Sequence, residues 1–190
     1  MTSSDTNLVR NGTFSQIDAG RPAGWEAVVA ADLDQEGEKS GIEILQFAQR
    51  GNAVKLRSAP IVTTWYGLES EPIDVEPGTR LELSAAMKTQ NVHRDVSESG
   101  LGPMAEKLGL HLPDDHPSRS NVDIAFFDNG GDIVELDGSP YTGTDPVMGT
   151  RDRHRVSTAV SVPEAAATAR VRCVMTLFGG ALFTDIRLEA

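Results

Sequence analysis

Apolar residues recur along this chain at every second position, the period of a strand with one buried face. In Arg80 to Lys88, Leu81, Leu83, Ala85 and Met87 point one way, and Glu82, Ser84, Ala86 and Lys88 the other. In Asn121 to Asp128, Val122, Ile124 and Phe126 alternate with Asp123, Ala125 and Phe127. In Arg153 to Val162, Val156, Val160 and Val162 oppose Arg155, Ser157, Ala159 and Ser161. In Thr168 to Leu177, Ala169, Val171, Cys173, Met175 and Leu177 oppose Arg170, Arg172, Val174 and Thr176. Shorter candidate strands are Asn7 to Phe14, Gly24 to Val29, Ile42 to Phe47, Ala53 to Ser58, Trp65 to Ser70 and Leu182 to Leu188.

Turn signals separate these runs, at Gly20-Arg21-Pro22, Gly51-Asn52, Glu76-Pro77-Gly78, Asn129-Gly130-Gly131, Pro163-Glu164 and Gly179-Gly180. Many one-sided strands joined by turns predict an all-β fold, an antiparallel β-sandwich with one face of each sheet in the core. The one helical candidate is Pro103 to Leu108, with proline at its first position and Gly109 beyond its end. It lies in the longest irregular stretch, about residues 90–120, whose length points to a functional or disordered loop insertion. No repeat or internal boundary divides the chain, so residues 1–190 read as a single domain.

Composition narrows the function classes. The net charge is −11, which repels phosphates and anionic head groups and argues against nucleic-acid and membrane partners. The single cysteine, Cys173, precludes an intramolecular disulfide. It falls on the apolar face of its strand, where a buried, inert thiol is expected. No signal peptide or membrane-spanning run is evident in this chain. The sequence contains no nucleophile elbow, phosphate loop, dinucleotide fingerprint or zinc-protease helix, so no enzyme is expected. His93, His111 and His116, with Asp114 and Asp115, share the long loop at a spacing that fits no zinc pattern. They read as a solvated polar loop, with a small hydrolase or lyase as a minor alternative. Asn11-Gly12-Thr13 matches a glycosylation sequon. The better reading is a strand in which Gly12 permits a bend or close backbone approach.

Several blocks, in order, carry a resemblance. They are Asn7-Leu8-Val9-x-Asn11-Gly12-x-Phe14, Gly20-x-Pro22-x-Gly24-Trp25 and Val75-x-Pro77-Gly78-x-x-Leu81-x-Leu83-Ser84-Ala85-x-x-Lys88. Phe126-Phe127-Asp128-x-x-Gly131, Val162-Pro163-x-x-Ala166 and Gly180-Ala181-x-Phe183-x-Asp185-x-x-Leu188 follow. Together they resemble carbohydrate-binding modules of the family 4/9/22 type, of the galactose-binding-like superfamily. The resemblance implies a jelly-roll sandwich whose first and last strands are neighbours in one sheet. It also implies non-catalytic binding of a polysaccharide or glycan, an extracellular or periplasmic setting, and a place beside a longer multidomain enzyme or partner protein. The alternative is a protein-interaction or structural domain on the same fold.

Sugar binding needs aromatic faces and fixed polar groups. Aromatics make up only 5% of the chain, so each one counts. Trp25 matches the family's core tryptophan. Trp65 and Tyr66 are strand neighbours facing opposite ways, Tyr141 lies in a loop, and Phe127 is on a non-core face. These four are the expected stacking residues. Arg57, Arg170 and Arg172 also occupy non-core faces. A solvated face explains them most simply, and bidentate contact with an acidic polysaccharide is the sharper reading. The family also implies a structural calcium, with ligands from the early chain and the closing strand. Asp185 matches the closing acid. Thr184 stands where a second acid is usual, and Ser15 where an acid follows the early phenylalanine. Both departures weaken a site that calls for many oxygens and carboxylate charge.

Overall fold

The computed structural model describes residues 7–29, 42–47, 51–57, 65–92, 119–176 and 179–190. The proposed helix Pro103 to Leu108 and the histidine-bearing loop lie outside these residues. In chain order the strands are β1 (Ile17–Asp18), β2 (Arg21–Pro22), β3 (Trp25–Val29), β4 (Ile42–Phe47), β5 (Gly51–Arg57), β6 (Trp65–Ser70) and β7 (Ile73–Asp74). There follow β8 (Arg80–Val92), β9 (Ser120–Phe127), β10 (Ile133–Val134), β11 (Thr142–Gly143), β12 (Gly149–Ser161), β13 (Thr168–Thr176) and β14 (Gly180–Glu189).

Two antiparallel sheets form the sandwich. One runs β10-β9-β13-β6-β3, with β11 on β9 and β7 on β13; the other runs β12-β8-β14-β5-β4. The long strands β8, β9, β12, β13 and β14 alternate between the two sheets, so each connection crosses the sandwich as in a jelly roll. The alternation read from the sequence sets which side chains meet in between. Leu81, Leu83, Ala85 and Met87 of β8 and Ala181, Phe183, Ile186 and Leu188 of β14 form one inner layer. Val122, Ile124 and Phe126 of β9 and Ala169, Val171, Cys173 and Met175 of β13 form the other. Trp25 belongs to this core: it is buried, meets Phe14 edge-on at 5.2 Å, and donates its indole N–H to the Arg10 carbonyl at 3.2 Å.

The opening segment corrects one expectation. Asn7 to Phe14 was expected to be a strand, and the structure instead makes it a turn-rich segment. Asn11 and Phe14 take φ of 53° and 54°, left-handed values that interrupt a regular strand. It nevertheless lies against the closing strand, as the resemblance implies. The Leu8 amide donates to the Leu188 carbonyl at 2.8 Å, and the Ile186 amide to the Gly12 carbonyl at 2.9 Å. Side-chain amides supply the rest of the seam: Asn7 Nδ2 donates to the Ile186 carbonyl, and Asn7 Oδ1 accepts from the Leu188 amide. Gly12 does make the close approach, because a Cβ there would collide with the Ile186 carbonyl oxygen.

Candidate ligand-binding face

The outer face of the first sheet is ordered by register. One cross-strand row runs Gly143, Asp123, Arg172, Glu69 and Glu26, from β11 through β9, β13 and β6 to β3. The next pair on that face is Ala125 with Arg170, and the next is Phe127 with Thr168.

Arg172 anchors the row. Its Nε donates to Asp123 Oδ1 at 2.7 Å and its Nη2 to Asp123 Oδ2 at 2.9 Å, a fork on a fork. Both side chains are almost wholly buried, at 4% and 9% exposure, although they sit on the face turned away from the core. Tyr141 accounts for part of that burial, because the Arg172 guanidinium carbon lies 3.3 Å from its ring centroid. The loop segment is held there by the tight turn before it and the strand after it. Leu136 and Ser139 exchange backbone hydrogen bonds around Asp137 and Gly138, which have φ of 52° and 77°. Ser139 Oγ donates to the Tyr141 carbonyl at 2.7 Å. Thr142 and Gly143 then pair with Ile124 and Asp123, and only glycine allows this, since a Cβ at Gly143 would strike the backbone of Val122 and Asp123.

Burial is the largest influence on Asp123 and raises its carboxyl above the usual range, against the opposing pull of Arg172. A second pair lies beside the first. Arg170 Nη1 donates to Glu69 Oε1 at 2.7 Å, and the same guanidinium sits 5.8 Å from the Phe127 ring centroid. Phe127 is half-buried.

Four of the residues expected to bind sugar thus share one surface: Phe127, Tyr141, Arg170 and Arg172. Trp65 and Tyr66 lie on β6 of the same sheet, opposite Thr176 and Met175 of β13; their side chains are outside the described ones. Arg57 is separated from the group, exposed on β5 of the second sheet. Sequence reasoning placed Asp123 and Arg172 on non-core faces but did not find them as a buried pair, and it did not find Glu69 as the partner of Arg170. The alternation showed the face; the neighbour across it depends on register.

Asp185 is held by arginines. It accepts from Arg155 Nη2, and from Arg187 Nε at 3.0 Å. Burial pushes its carboxyl up, but the hydrogen bonds and charges of Arg187 and Arg155 together outweigh burial and hold it below the ordinary range. Among the described residues, no group of three or more His, Cys, Asp or Glu side chains comes together. Thr184 and Ser15 are neutral, so Asp185 is the one carboxylate among these three positions, and two arginines engage it. A depressed carboxyl stabilises the fold above its unfolded pKa and loses that contribution as pH falls through the folded value. Asp185→Asn is therefore expected to flatten the acid limb of melting temperature against pH, most visibly below about pH 4, as followed by circular dichroism.

Cys173 is fully buried, and burial followed by the nearby Asp123 charge pushes its thiol well above the ordinary value. It is not poised as a nucleophile.

Comparison with known proteins places this architecture. No protein-family profile matches the chain. No curated protein matches it either. Solved structures do match. The enzymatically active domain of tailspike protein 4 of bacteriophage CBA120 aligns over 96% of this chain at 16% identity, with TM-score 0.59. The chain spans only 21% of that tailspike chain. A family 16 carbohydrate-binding module aligns over 97% of this chain and 100% of its own length, at 14% identity and TM-score 0.55. The CBM22-1 xylan-binding domain of Paenibacillus barcinonensis Xyn10C aligns over 100% and 97%, at 12% identity and TM-score 0.53. This chain has the β-sandwich fold of carbohydrate-binding modules. At these identities the likeness carries the fold alone.

Proposed function

We propose that this module is a non-catalytic binder of a neutral polysaccharide, which it takes on the outer face of β9, β13 and β6. The observation that carries the reading is Tyr141, its ring set against the guanidinium of the buried Arg172–Asp123 pair, on the face that also carries Phe127 and Arg170. A ring backed by a fixed guanidinium is pre-oriented, and the side of this half-buried ring away from Arg172 is the proposed platform for the apolar face of a pyranose. The neighbouring Arg170–Glu69 pair offers charged hydrogen-bonding groups to sugar hydroxyls. A neutral ligand is favoured over an acidic one because both arginines already bind carboxylates of the chain itself. The net charge of −11 opposes polyanions as well. A binding role fits this face better than catalysis, since its buried and half-buried carboxylates, Asp123 and Glu69, are committed to arginines. The shared fold supports the reading, and one of the similar structures is a xylan-binding domain. An extracellular or periplasmic setting, within or beside a longer protein, follows from such a ligand.

A glycan array spanning neutral, uronate-bearing and sulfated polysaccharides tests this. Retention is expected in the neutral set, weakened about tenfold by Tyr141→Ala. Retention confined to the acidic set would refute the neutral reading. Binding to no glycan would refute sugar recognition and leave a protein-interaction domain.

A further inference from the structure

The seam where a structural calcium is implied by the resemblance is filled by uncharged side chains. Asn52 Nδ2 donates to the Phe14 carbonyl at 2.7 Å, and Thr184 Oγ1 donates to the Asn52 carbonyl at 2.9 Å. Phe14 is the residue before Ser15, and Thr184 precedes Asp185; these are the two places where the expected acids are replaced by hydroxyls. Asn11 folds the same segment: its Oδ1 accepts from the Gln16 amide at 3.0 Å, and its Nδ2 donates to the carbonyls of Gln16 at 2.8 Å and Ala23 at 3.0 Å. Asn7 joins the segment to β14, accepting from the amides of Val9 and Leu188 and donating to the Ile186 carbonyl.

We infer that the Asn52 carboxamide and the Thr184 hydroxyl take the place of a structural calcium in this fold, so that its stability is independent of that ion. The physical reason is satisfaction of carbonyls. A calcium ion gathers backbone carbonyl oxygens, and carboxylates supply the compensating charge. Here the Phe14 carbonyl, at a φ of 54°, meets an N–H donor instead. An amide neutralises nothing, so no acid is needed, and Ser15 and Thr184 carry none. The one acid retained, Asp185, is compensated by Arg155 and Arg187. This inference concerns the scaffold and stands whether or not the outer face binds sugar.

The test is thermal melting of the whole chain, stripped with chelator and then measured with excess chelator or with about 1 mM calcium chloride, alongside elemental analysis of protein purified without chelator. The expected result is equal melting temperatures and no stoichiometric calcium. Calcium near one ion per chain, or a saturable rise in melting temperature with calcium, would overturn the inference. Asn52→Ala leaves the Phe14 carbonyl without its donor and is expected to melt roughly 3–10 °C lower. That loss should be the same with and without calcium. An Asn52→Ala protein as stable as the wild type would also overturn it. Should that variant fail to fold, the wild-type comparison decides alone.

Discussion

Arg172→Ala is expected to unfold at a temperature roughly 6–20 °C below the wild type, a loss of about 3–5 kcal/mol. The magnitude follows from what is left behind. Asp123 would remain on a buried face with both oxygens stripped of their donors, and an unpaired buried carboxylate is among the most destabilising arrangements available. The pH dependence gives the mechanism a separate signature. Burial already raises Asp123, and Arg172 is the largest influence holding it down. Removing Arg172 raises the folded pKa further. A carboxyl with a raised folded pKa is tolerated while protonated and becomes destabilising as pH rises through that value. The variant should therefore lie closer to the wild type near pH 4–5 than at pH 8. Arg172→Met combined with Asp123→Leu should recover much of the loss, because an apolar pair can occupy a site that a lone charge cannot. A single variant within about 1 kcal/mol of the wild type at pH 8 would show that the pair is not buried as described.

Gly12→Ala is the second large effect. A methyl group at residue 12 would meet the Ile186 carbonyl oxygen, which is backbone and cannot rotate aside. The same carbonyl accepts from Asn7, and the Ile186 amide donates to the Gly12 carbonyl, so relief of the clash breaks the seam. A loss of about 2–4 kcal/mol is expected, at the upper end of overpacking. Increased hydrogen exchange should appear at Leu8, Ile186 and Leu188 before the rest of the sheet. Thr13→Ala is the control. It removes the glycosylation sequon, and among the described residues its exposed hydroxyl hydrogen-bonds the Ser15 hydroxyl alone, at 3.3 Å, so little change in stability is expected.

The sandwich was legible because most of its strands alternate large apolar side chains with polar or small ones. Leu81, Leu83, Ala85 and Met87 announce β8, and Val122, Ile124 and Phe126 announce β9, from alternation alone. The opening segment was not legible as it stands. Its apolar spacing resembles a strand, while the left-handed turns at Asn11 and Phe14 are set by contacts with Gln16, Ala23 and Asn52. The candidate face was legible by residue and not by arrangement. Arg172 and Asp123 are 49 positions apart, and nothing in either strand's pattern says they are opposite each other. Tyr141 could be placed in a loop, whereas its position over Arg172 depends on the turn at Asp137–Gly138 and the close approach of Gly143. Arg57 shows the converse: alternation assigns it an outer face without saying which of the two sheets carries it.

The most direct measurement is amide shift mapping by nuclear magnetic resonance, on isotopically labelled protein titrated with the neutral oligosaccharide retained best on the array. Saturable shifts are expected on Asn121 to Phe127, Ser139 to Gly143 and Thr168 to Thr176, with the second sheet unmoved. Shifts centred instead on β8, β12 and β14, with Tyr141 and Arg172 silent, would contradict that expectation.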